Sequence, residues 1–136
     1  LLFTADGDLR NALNNLQSTF SGFGRVTDEL VFKVCDQPHP VTIREIIQGC
    51  MKGDVDGALR RLQALWNDGY SAIDIVGTLF RVTRALDKVD EALLLQILRE
   101  IGLTHMRVAQ GSSSLLQLQG LIARLCRLTT TTTTKK

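Results

Sequence analysis

Apolar residues return every three or four positions along most of this chain, and the polar residues between them fall on separate stripes. Leu9, Leu13, Leu16 and Phe20, with Ala12 beside them, predict a first helix whose polar stripe is Arg10, Asn14 and Gln17. Asp6 and Asp8 stand where that helix begins, placed to accept from free backbone N–H groups and to complement the positive end of the dipole. Gly22 and Gly24 mark a turn. Thr27 is expected to cap a short helix through Asp36, with Leu30, Val31 and Val34 on its apolar face. Pro38 and Pro40 stop helical continuation, because each fixes its own φ and pushes the preceding residue towards extended conformations.

From Val41 onward every segment reads as helix. Thr42 to Lys52 carries Ile43, Ile46, Ile47 and Cys50, and Gly53 ends it. Asp54 caps the next helix, with Val55, Ala58, Leu59, Leu62, Leu65 and Trp66 facing inward until Asn67-Asp68-Gly69. Ser71 with Asp74 three residues later forms a capping box for a third helix built on Ile75, Val76, Leu79, Val82, Ala85 and Leu86, with Phe80 alongside. The fourth is expected from about Asp90 to Gly111, on Leu94, Ile97, Leu98, Ile101, His105, Val108 and Ala109. Ser112 to Ser114 cap the last, which contains Leu115, Leu116, Leu118, Leu121, Ile122, Leu125 and Cys126. Gly102 and Gly120 lie inside helices, where glycine costs roughly 1 kcal/mol against alanine, and so predict close approach of another helix. Thr129 to Thr134 and the two final lysines show no periodicity and read as a low-complexity tail over 129–136. No fixed repeat of signature residues appears, which excludes a solenoid. The fold class is all-α, with five helices after the prolines forming a bundle.

Composition narrows function mostly by exclusion. A formal net charge of +2 is too small to argue for nucleic-acid binding by bulk electrostatics. Cys35, Cys50 and Cys126 are far apart, with no C-x-x-C pair, so reduced buried thiols are expected rather than a zinc site. No apolar run approaches the ~20 residues that span a bilayer. Asp54-Val55-Asp56-Gly57 begins like a calcium loop but lacks the later ligands and closing glutamate. His39 lies between two prolines, and His105 sits on a helix with no carboxylate or cysteine at ligand spacing; both read as structural. Trp66 and Tyr70 are too few for a stacking platform on single strands. Arg10 leaves two readings open. A cation in a first helical turn opposes the dipole, yet a guanidinium beside exposed N–H groups is suited to hold a phosphate; the plainer alternative is a solvated arginine near Asp6.

Gly-Asp-Leu-Arg-Asn-Ala-Leu-Asn-Asn-Leu-Gln, Gly7 to Gln17, resembles the second sensor motif of the clamp-loader ATPases, within the AAA+ group, and is closest to replication factor C small subunits. Ser18 to Gly24, Val31 to Pro40, Gly69-Tyr70-Ser71, Leu79 to Val82, Glu100 to Met106 and Leu121 to Cys126 follow in family order. The resemblance implies three segments: residues 1–37 as the C-terminal part of an AAA+ lid domain, 38–128 as a collar domain for oligomerisation, and the 129–136 tail. It implies that Arg10, with Leu9 adjacent, contacts the γ-phosphate of a bound nucleotide. No G-x-x-x-x-G-K-[ST] occurs in these residues, so the chain itself is expected to be no enzyme and to hold no cofactor, ATP and Mg belonging to the parent subunit. The implied partners are the other replication factor C subunits through the collar, and the sliding clamp and primer–template DNA through an ATPase module outside this chain. The implied location is nuclear, with no membrane. Surplus apolar surface on the last two helices is expected to be kept for a partner, and Phe80, Arg81, Leu116 and Leu118 are the expected subunit interface. A different class, a free-standing helical adaptor that binds partner helices in an apolar groove, would show itself by unrelated peptides in a pull-down.

Overall fold

Local capping sets the start of most helices. The computed structural model describes residues 2–5, 7–86 and 89–133, which hold eight helices and no strand, the all-α class expected. They divide into two units, Leu1–His39 and Pro40–Lys136.

The first unit contains α1 (Leu2–Ala5), α2 (Leu9–Phe23) and α3 (Asp28–Val34), with α2 packed on both others. Asp8 caps α2 by accepting from the Arg10 backbone N–H at 2.8 Å; Asp6, the other expected cap, lies outside the described residues. Gly24, in the left-handed region at φ 67°, closes α2 by donating to the Phe20 carbonyl. The face of α2 turned inward is that of Ala12, Asn15 and Thr19. Thr19 is fully buried and donates to the Asn15 carbonyl at 2.6 Å, while Asn15 Nδ2 donates to Thr4 Oγ1 of α1. The leucine stripe therefore lies on a neighbouring face and is uncovered. Thr27 caps α3 as expected, but α3 ends at Val34 rather than Asp36, which takes a left-handed φ of 50°. Phe32 stacks edge-on against His39 at 4.7 Å between ring centroids, with Phe3 beyond it at 6.0 Å.

The second unit is a bundle of α4 (Pro40–Lys52), α5 (Val55–Asn67), α6 (Ala72–Arg84), α7 (Glu91–Ala109) and α8 (Leu115–Thr133). Pro40 does not merely end the preceding segment: it occupies the first position of α4, where its missing N–H would be unpaired anyway. Asp54 accepts from the Gly57 N–H at 2.9 Å, and its carboxylate folds so closely over Gly57 that a Cβ there would overlap it. Ser71 caps α6 by accepting from the Asp74 N–H, and its hydroxyl donates to the Asp74 carboxylate rather than the carboxylate reaching the Ser71 backbone N–H as a full capping box would have it. Asp90 accepts from Leu93 and Ser114 from Gln117.

α4 packs on α5, α6 and α8; α6 pairs with α7, and α7 with α8. The core is aliphatic, centred on Ile43, Ile46, Leu62, Ile75, Ile101 and Leu121, all fully buried. The close approach between helices falls at buried Gly49, where a Cβ would sit 3.6 Å from that of Ala58. It does not fall at Gly102, which is exposed with open space where a Cβ would be, nor at Gly120, whose nearest neighbour is the Arg124 guanidinium of its own helix. The inward line of α7 is Ile97, Ile101, Thr104 and Val108, leaving His105 and Ala109 exposed.

The threonine run expected as a tail is helical through Thr133; residues 134–136 lie outside the described residues. The reason is that the buried stripe of α8 continues past Leu125 and Cys126 to Thr129, which is only 4% exposed. Its hydroxyl lies 2.7 Å from the Cys50 carbonyl of α4 and 2.9 Å from that of Cys126. On the other side of α8, Arg124 Nε donates to Glu100 Oε2 and Nη2 to Thr104 Oγ1, both at 3.0 Å on α7.

Candidate functional site

The nucleotide-contact residues expected from the sequence stand together at the start of α2. Arg10 is the second residue of that helix and is exposed. Its backbone N–H is taken by Asp8, and its guanidinium forms no ion pair among the described residues. Leu9, beside it, is 73% exposed. A free guanidinium at a helix start can present a bidentate donor to anionic oxygen, with the dipole adding to the attraction. Below it the leucine stripe remains open: Leu13, Leu16, Gln17, Phe20 and Val26 line a shallow hollow of about 620 Å³.

The four expected interface residues are not alike. Phe80 is 39% exposed on α6 and Arg81 follows it, its Nη2 donating to Thr78 Oγ1 one turn back. Leu116 is 76% exposed at the start of α8. Leu118 is corrected: at 1% exposure it is a core residue, on the same helical line as Leu121, Ile122 and Leu125, and offers nothing to a partner. Spacing along the leucine-rich start of α8 does not separate Leu116 from Leu118 until the inward line is fixed by Leu125 and Cys126 further along.

A feature not anticipated lies on the outer side of the α6–α7 pair. Gly77, Phe80, Gly102 and His105 line a hollow of about 210 Å³. Its signal was present in the sequence, as a mid-helix glycine three residues before an aromatic ring in both helices.

All three cysteines are free thiols; Cys50 and Cys126 are buried and Cys35 half-buried. Burial pushes the Cys50 thiol far above its ordinary value of 9.0, and Cys126 beside it adds to the shift. Among the described residues no group of three or more His, Cys, Asp or Glu is placed to hold a metal ion, and no helix is long and apolar enough to cross a membrane.

Comparison with known proteins gives these surfaces a context. Residues 38–124 match the replication factor C C-terminal domain. The chain is 50% identical over 127 residues to replication factor C subunit 4 of Schizosaccharomyces pombe, covering 93% of this chain and 37% of that protein. It is 49% identical over 126 residues to the probable replication factor C subunit 2 of Dictyostelium discoideum, again 93% and 37%. With subunit 4 of Saccharomyces cerevisiae the identity is 43% over 129 residues, 94% of this chain and 39% of that protein. The chain thus spans well under half the length of these relatives. With its matched domain falling on the five-helix unit, the chain belongs to the replication factor C family and carries the C-terminal domain of a small subunit.

Proposed function

We propose that this chain is the assembly end of a DNA clamp-loader subunit. Its second unit is a collar that joins sister subunits into a heteropentameric ATPase, which loads a sliding clamp onto primer–template DNA in replication and repair. The observation that supports this is the coincidence of the matched domain, residues 38–124, with the five-helix bundle beginning at Pro40. The first unit, residues 1–37, is the end of the lid. In support, α2 carries an uncovered apolar stripe, and a soluble helix with such a stripe is completed by other residues. ATP and Mg are held in the parent subunit by a module outside these residues, so this chain alone is no enzyme. Arg10 contacts the γ-phosphate from the lid and couples occupancy to lid angle, because the closed arrangement gains that contact and the open one lacks it. The working location is the nucleus, where primer–template DNA is made.

Co-expression with the other replication factor C subunits tests the collar. The expected result is a stable complex containing this chain, with ATP hydrolysis absent from the chain alone. A strict monomer that captures no sister subunit would overturn the reading. Arg10→Ala in the full-length subunit is expected to weaken ATP-driven clamp loading at least tenfold, and unchanged loading would remove Arg10 from the site.

A further inference from the structure

The outer side of the α6–α7 hairpin is a groove with a hole in its middle. Gly77 and Gly102 face open space, with nothing within 4 Å of where either Cβ would stand. Glycine weakens a helix interior relative to alanine, and here neither position gains a close intramolecular contact in exchange. Phe80 and His105, each one turn further along its helix, wall the same hollow. One turn before Gly77 stands Ile73, and one turn after Gly102 stands Met106, both exposed, so the apolar surface continues at that end. The opposite end is basic. Arg84 follows Phe80 by four residues and Arg99 precedes Gly102 by three; both are exposed, and neither forms an ion pair among the described residues. Glu91, one turn before Leu95, and the cap residue Asp90 are acids at the start of α7, further from the hollow than Arg99 along that helix.

We propose that this groove receives a helix from a neighbouring replication factor C subunit. That helix inserts one bulky apolar side chain between Gly77 and Gly102 and sets carboxylates against Arg84 and Arg99. The inference rests on the collar reading and gives it a location. An apolar groove with a floor lacking Cβ atoms fits a protruding side chain, as ridges fit grooves between packed helices. The two guanidinium groups select an acidic flank at one end and repel a basic one, which sets the direction in which the incoming helix lies.

The test uses the 136-residue chain with the C-terminal domains of the other small subunits, measuring affinity by calorimetry and self-association by sedimentation. Gly102→Leu fills the hollow from an exposed helical position, and Trp66 fluorescence with circular dichroism checks that the bundle is intact. The paired surface variant Arg84→Glu, Arg99→Glu leaves the hollow open and carries the test by itself if Gly102→Leu perturbs the fold. Expected is at least a tenfold loss of affinity for one sister domain with Gly102→Leu. The charge reversal should give a several-fold loss that disappears at high salt. If the wild-type chain binds sisters and both variants bind equally well, this surface is not the interface while the collar reading stands. If the wild-type chain binds no sister, the collar reading fails and this inference with it. If Gly102→Leu abolishes self-association but leaves sister binding unchanged, the occupant is a second copy and the proposal is overturned.

Discussion

Thr129→Ala distinguishes a core threonine from a tail residue by the sign of its effect. The substitution removes a hydroxyl within 2.7 Å of the Cys50 carbonyl across the α4–α8 contact, a bond with a net worth of about 1 kcal/mol. It also removes a buried methyl group, worth about 0.8 kcal/mol. Alanine's better helix propensity returns roughly 0.6 kcal/mol. The balance is a destabilisation of about 1.2 kcal/mol. A residue in an unstructured tail would give no change, and an exposed helical one a slight stabilisation. Trp66 is the sole tryptophan and lies in α5, which packs on α8, so its fluorescence reports the second unit. With a urea slope of about 1.5 kcal/mol per molar, the midpoint should fall by about 0.8 M. Thr130→Ala is the control. Its hydroxyl donates to the Cys126 carbonyl of its own helix and the residue is exposed, so the midpoint should stay within about 0.3 M of wild type. A Thr129→Ala midpoint at or above that of wild type would refute the reasoning, as would equal losses at both positions.

Three further outcomes follow from burial. Leu118→Ala should cost about 3 kcal/mol and Leu116→Ala less than about 0.5 kcal/mol in the same titration, because one is a core residue and the other is solvated; comparable losses would place α8 in the wrong rotation. Cys50 has its folded pKa raised above the unfolded value of 9.0, so its contribution to stability is fully present below about pH 9 and is lost as pH rises towards the folded value. Unfolding free energy should fall by about 1.4 kcal/mol per pH unit in that window on account of this thiol, and Cys50→Ala should lack that part of the slope. Native-state labelling should modify Cys35 first, and early loss of the Cys50 thiol would contradict the burial.

Much of the helical plan was legible because the forces that set it are local. Asp54, Ser71, Asp90 and Ser114 each accept from a backbone N–H three residues ahead, so a cap and its helix are read from one short window. The central stripes of α4, α5 and α6 were equally plain, since Ile43, Leu62 and Ile75 recur with their neighbours at helical spacing. Thr129 was not legible, because its partner Cys50 lies 79 residues away and a threonine run carries no apolar period. The glycines misled for a similar reason: a mid-helix glycine permits a close approach without saying who approaches. Gly49 meets Ala58, whereas Gly102 meets open space. At α2 the sequence showed an apolar stripe and an odd arginine correctly placed at a helix start. It could not show that Thr4 and Asn15 turn a different face inward and leave the leucines bare.

The pairing of α7 with α8 rests on interchangeable leucine and isoleucine surfaces, which could slide past one another by a turn, about 5.4 Å, and still bury similar area. Arg124 breaks that degeneracy. Its planar fork spans Glu100 and Thr104, neighbours one turn apart on α7, so displacement by a turn in either direction strands one of the three polar groups. A single ammonium cannot hold both partners in that geometry, which makes lysine a poor substitute at this position. The α7–α8 pair thus has a ruler fixed to its side, and any partner reading both helices meets them at one offset.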